Sequence, residues 1–145
     1  MNKKTILWSF AILFCFTFLF SNSQNINLSN SIYFDGECSM AVNPKNPKHL
    51  VTAWIYFSTA NLKDAIATRS SFDGGNTWTP IVLLPHLHNT FTSPDPDVCF
   101  GKDSCVYISF IDLSGVHSSD SGYVMVARSV NGGISWSTPV KPYRI

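Results

Sequence analysis

Four carboxylates stand in two pairs with the same internal spacing: Asp35 and Glu37 in Phe-Asp-Gly-Glu, and Asp95 and Asp97 in Pro-Asp-Pro-Asp. Carboxylates so paired can divide acid and base work, accept hydrogen bonds from sugar hydroxyls, or share an oxygen-ligated cation such as calcium. The same letters also make turns, because Asp beside Gly or Pro folds back on its own backbone. The rest of the chain offers less. No cysteine and histidine spacing suggests zinc, and His86 and His88 read as an exposed pair in a loop. No cofactor is expected, calcium at the carboxylates apart.

These carboxylates need elements to hold them. Beyond Gln24 short β-type runs alternate with clusters of Asn, Pro, Gly, Ser and Asp, and no apolar period of helical length interrupts them. Strands are predicted at Ser39–Val42, His49–Phe57, Asp64–Ser70 and Thr77–Leu84. A second set is predicted at Asp97–Phe100, Cys105–Leu113, Tyr123–Arg128 and Ser135–Val140. Each carboxylate pair thus sits at the start of a four-strand set.

The two sets are copies. Ser71-Phe-Asp-Gly-Gly-Asn-Thr-Trp78 returns as Ser129-Val-Asn-Gly-Gly-Ile-Ser-Trp136, an offset of about 58 residues, within the range of propellers and arrays. Pro80 and Pro139 follow the two motifs. Ser71 and Asp73 can turn their oxygens onto nearby N–H groups, Gly75 can take positive φ, Thr77 adds a hydroxyl, and Trp78 anchors the outgoing chain. Ser129, Asn131, Gly133, Ser135 and Trp136 repeat the pattern with Asn for Asp and Ser for Thr.

The first motif resembles the Asp box, S-x-D-x-G-x-T-W, of sialidases and related BNR-repeat proteins, and the second resembles a degenerate copy. The stretch Glu37 to Trp54, with Ala-Val-Asn-Pro-Lys-Asn-Pro, is similar to the first blade of secreted bacterial sialidase-like propellers. The resemblance covers roughly residues 35 to 140. It implies an all-β fold of about two four-stranded β-propeller blades, 35–84 and 95–145, after a lead-in at 24–34. It also implies that the Asp boxes are structural and that a ligand meets the inner strands where they begin, at Asp35, Glu37, Asp95 and Asp97. An enzyme of this kind needs several arginines for a substrate carboxylate, a Tyr/Glu pair and an acid/base Asp. This chain holds only Arg69, Arg128, Arg144 and one glutamate, Glu37, so that set is incomplete. Arg69 and Arg128, just before the Asp boxes, read as structural. Two function classes follow: exo-α-sialidase-like glycoside hydrolysis by the complete protein, or a non-catalytic propeller binding a glycan or protein at a cell surface.

The N-terminus predicts export. Lys3 and Lys4 precede an uncharged apolar run from Thr5 to Phe20, and Ser21 and Ser23 suit cleavage before Gln24, so 1–23 reads as a signal peptide and the destination as secreted or periplasmic. A retained membrane anchor is the alternative. The whole chain has 10 basic and 9 acidic residues, a balance that asks for neither nucleic acid nor an anionic membrane as partner. Cys99 and Cys105 flank a short polar loop and predict a disulfide across a hairpin in an oxidising compartment, leaving Cys38 as a small buried residue. Two blades leave apolar faces and strand edges open, so further blades or self-association are expected to cover them.

Overall fold

The structure, a computed structural model, describes residues 25–58, 63–88, 90–114 and 121–144. The expected signal peptide at 1–23 lies outside them. Eight strands form: β1 (Asp35–Asn43), β2 (Asn46–Ser58), β3 (Lys63–Ser71), β4 (Val82–Leu83), β5 (Asp97–Phe100), β6 (Val106–Leu113), β7 (Gly122–Ser129) and β8 (Val140–Arg144). They make two four-stranded antiparallel sheets, β1-β2-β3-β4 and β5-β6-β7-β8, each a simple meander.

Alternation explains the stacking. In β6, Val106, Ile108, Phe110 and Asp112 are buried while the residues between them are half-exposed. Val51, Ala53, Ile55 and Ile66 of the first sheet meet Val98, Val106, Ile108, Phe110, Met125 and Ala127 of the second in a single core. Burying a Val, Ile or Phe side chain contributes about 1.5–3 kcal/mol, so this shared layer is the main term holding the sheets together.

The eight-residue turns close themselves with side-chain bonds. Ser71 Oγ accepts the Gly75 N–H at 2.8 Å and donates to Asp73 Oδ1 at 2.8 Å. Asp73 accepts the Thr77 N–H at 2.9 Å and the Thr77 hydroxyl at 2.6 Å. In the second turn Ser129 Oγ accepts the Gly133 N–H at 2.8 Å and Asn131 Oδ1 accepts the Ser135 N–H at 3.0 Å. The Asn131 amide then donates to Ser135 Oγ at 2.8 Å, so the bond that runs from hydroxyl to carboxylate in the first turn reverses in the second. The two motifs differ at four of their eight positions and still make the same backbone-closing bonds.

Two expectations about the outer strands are corrected. The runs Thr77–Leu84 and Ser135–Val140 are strands only at Val82–Leu83 and from Val140 onward. The Thr79 N–H donates to Ser70 O and the Ser137 N–H to Arg128 O, both at 2.8 Å, and the prolines that follow have no N–H to continue the ladder. β2 conversely begins three residues before His49 and takes in Pro47, beyond a register shift at Val42/Asn43.

The second turn lies against the first sheet. Gly132 and Gly133 have φ of 75° and 87°. A Cβ on Gly133 would strike Ser70 Oγ and meet Val51 at 3.2 Å, whereas at Gly75 it would find Leu50 no nearer than 3.6 Å. His49 is buried here, stacked on Phe72 at 4.5 Å and edge-on to Phe100 at 4.9 Å. In the neutral tautomer that gives the carbonyl a proton, its Nε2–H donates to Gly132 O at 3.0 Å and its Nδ1 accepts from Asn43 at 3.2 Å. The Trp136 indole N–H donates to Thr68 Oγ1 at 2.9 Å.

Gly133→Ala is expected to destabilise the chain more than Gly75→Ala in urea unfolding. Each loses about 1–2 kcal/mol to the left-handed backbone, and only at Gly133 does the methyl collide with another element. Equal losses would contradict the docked turn. Hydrogen bonds from Thr77 hold the Asp73 carboxyl at about 2, below its ordinary 3.8. A depressed carboxyl stabilises above its unfolded pKa, so this contribution is present above 3.8 and is lost as pH falls through about 2. Thermal unfolding followed over that window should show a steeper loss in the parent than in Asp73→Asn; parallel curves would refute it.

Candidate functional site

Antiparallel pairing puts the starts of β1 and β5 at the end of the sheets opposite the eight-residue turns, since Asp35 pairs with Tyr56 whereas Ser71 pairs with Leu50. Three of the four sequence-predicted carboxylates meet at this end. Glu37 and Asp95, 58 residues apart, both take left-handed backbone, with φ of 49° and 56°. Such geometry costs a non-glycine residue on the order of 1–3 kcal/mol, and a register shift between Gly36 and Ser39 accompanies it at Glu37. Glu37 Oε2 accepts the Asp95 N–H at 3.0 Å. Ser39 Oγ donates to Asp97 Oδ1 at 2.9 Å and accepts the Val98 N–H at 3.2 Å. The carboxylates of Glu37, Asp95 and Asp97 are exposed.

Asp35 turns elsewhere. Its Oδ1 accepts the Trp54 indole N–H at 3.1 Å, and Trp54 is only 4% exposed, so that ring packs and does not offer a face to a ligand. Asp35 and Glu37 border a cavity of about 500 Å³ between the lead-in, Ile26 to Ser29, and Thr52 and Trp54 of β2. Among the described residues no group of three or more His, Cys, Asp or Glu is arranged to hold a metal ion.

The described arginines are engaged. Arg69 donates to the carbonyls of Thr79, Leu28 and Trp78, tying the lead-in and the chain after the first turn to β3. Arg128 donates to Asp103 at 3.1 Å and to the Cys105 sulfur at 2.9 Å. The Cys105 bonds and the Arg128 charge hold the Asp103 carboxyl below its ordinary range. The side chain of Arg144 lies outside the described residues. The expected disulfide between Cys99 and Cys105 is corrected: both are free thiols. Cys99 pairs across the ladder with Tyr107, two residues beyond Cys105, and Cys105 is buried against Arg128. Cys38, expected buried, is exposed.

Sequence reasoning missed Asp112. It is fully buried and accepts the His86 ring N–H at 2.9 Å, the Ser93 hydroxyl at 2.9 Å and the Leu87 N–H at 2.6 Å. His86 therefore leaves solvent, with 12% of its side chain exposed, and is not the open loop residue expected. Ser, His and Asp here are not a nucleophile relay, because Ser93 and Asp112 both meet Nδ1 of the ring. They instead tie down the linker leading to Asp95 and Asp97. The signal was the alternation of β6, which aims position 112 inward with Ile108 and Phe110. Asp112→Ala strands three donors and is expected to cost about 3 kcal/mol or more, read by urea unfolding. A loss near zero would mean that the network is solvated.

No protein-family model and no curated protein matches this chain. Solved structures do, and one of them is the Hadza microbial sialidase Hz136. It superposes with a TM-score of 0.60 at 17% identity, over 74% of this chain and 25% of that one. The chain therefore spans about a quarter of the length of that structure. With two four-stranded meanders packed face to face, the likeness shows the fold: two blades of a sialidase-like β-propeller.

Proposed function

We propose that this chain belongs to an exported, glycan-directed protein built on Asp-box blades, and that the starts of β1 and β5 contribute to its glycan contact. The supporting observation is the gathering of Glu37, Asp95 and Asp97 at the end opposite the turns, in a fold shared with a sialidase. Ionised carboxylates accept hydrogen bonds only, which suits sugar hydroxyls. In the complete protein, exo-α-sialidase-like hydrolysis is the reaction this reading favours. Within the described residues Arg69 and Arg128 are committed to other partners, which favours binding without turnover by this chain alone.

Nuclear magnetic resonance titration with sialylated and neutral oligosaccharides tests the contact. Shifts should centre on Glu37, Asp95 and Asp97 and vanish in Asp97→Ala, while a fluorogenic sialoside stays uncleaved. Cleavage by a pure sample would move the assignment to an enzyme complete in this chain. Neither shifts nor cleavage would remove the glycan reading.

A further inference from the structure

One titratable ring sits in the joint between the two sheets. His49 is 7% exposed, and the docked turn comes so near that a Cβ on Gly132 would lie 2.7 Å from its Cε1. The ring touches both sheets: Asn43 and Phe72 from its own, Phe100 and the Gly132 carbonyl from the other. A neutral ring suits both polar neighbours, giving one N–H to the carbonyl and taking one from the Asn43 amide.

A charged ring does not. Imidazolium carries a proton on both nitrogens, so Nδ1–H would point at the Asn43 amide N–H across 3.2 Å. Turning the amide over does not relieve this. Asn43 Oδ1 already accepts the Lys45 N–H at 2.9 Å, so the turned amide would set a donor against that N–H instead. Asn43 is 5% exposed, which keeps water from mending either clash. A counter-ion does not mend it either. The ionisable side chains on the packed elements are Lys45 and Lys48 on the β1–β2 hairpin, Asp73 beside Phe72, Lys102 and Asp103 beyond Phe100, and Arg128 before the second turn. The four cations are exposed, Asp73 bonds Ser71 and Thr77, and Asp103 pairs with Arg128. Among the described residues no carboxylate oxygen lies within 4.0 Å of either ring nitrogen of His49. The stacked face of Phe72 favours a charge, but Phe72 is 46% exposed and such a contact is weak in water.

From this we infer that His49 makes the joint an acid-sensitive latch: protonation of its ring releases the second turn, Ser129 to Trp136, from the first sheet. The closed joint holds only the neutral ring, and the opened joint holds either form. The latch therefore stabilises the chain above the ordinary imidazole range, about 6.5, and its contribution is lost as pH falls below that range. His86 answers in the opposite sense, because its ring faces the buried Asp112 carboxylate and a proton there adds attraction. The latch sits at the end of the sheets opposite the glycan contact and does not depend on it.

Urea unfolding of the whole chain at about pH 7.5 and about pH 5.5 tests it, beside His49→Gln, which keeps a side-chain N–H for the Gly132 carbonyl but takes up no proton. Over that step the unfolding constant of the parent should rise about fivefold or more relative to that of the variant, a comparison that cancels His86, His88 and the carboxylates. Exchange protection of the Trp136 indole N–H, which bonds Thr68 across the joint, should fall in the parent over the same step and hold in the variant. If His49→Gln does not fold, nuclear magnetic resonance of the ring nitrogens in the folded parent decides, and a neutral ring with its proton on Nε2 at about pH 5.5 is expected. Parallel pH dependence of parent and variant, or a doubly protonated His49 in a chain that keeps the Trp136 bond, overturns the proposal.

Discussion

The close approach of the second turn to the first sheet is the constraint on which the rest depends. Gly132 and Gly133 bring backbone against His49, Ser70 and Val51 at a distance no side chain could share. That approach leaves Ser70 Oγ buried without a hydrogen-bond partner, a local cost that the surrounding contacts offset. Around it His49 bridges Asn43 and the Gly132 carbonyl, and Trp136 reaches back to Thr68. The His49–Gly132 and Trp136–Thr68 bonds join residues far apart in the chain, so the angle between the sheets is set by directional contacts as well as by the apolar core.

With that angle set, β5 runs beside β1, and the carboxylates that begin each strand come together. Their meeting is a consequence of the repeat: equivalent positions in two copies adopt the same left-handed backbone, and the first reaches the amide of the second. Asp112 secures the linker between the copies from below through His86, Leu87 and Ser93. The two ends of the stack therefore divide their work. Self-closing turns and glycine approaches hold one end, while the other keeps the exposed carboxylates of Glu37, Asp95 and Asp97.

Much of this was legible in the residues. The inner and middle strands followed from alternation, and the turn chemistry followed from Ser, Asp or Asn, and paired glycines at fixed offsets. The outer strands were misplaced because Trp78 and Trp136 look like strand residues by type, yet their rings serve as anchors and proline interrupts the ladder behind them. The cysteine pairing failed on register, since flanking a loop does not place two residues opposite each other. Asp112 was hidden for another reason. A buried carboxylate is satisfied by donors from a distant linker, and no local pattern names those donors in advance.

The two sheets form one cooperative body built around the docked second turn. Native-state hydrogen exchange tests it most directly. Amides of β2 and β3 and those of β6 and β7 should open with the same free energy and the same denaturant dependence, because each sheet buries the other's core face. Exchange of β6 and β7 at markedly lower free energy than β2 and β3 would mean that the sheets fold independently, and would contradict the claim.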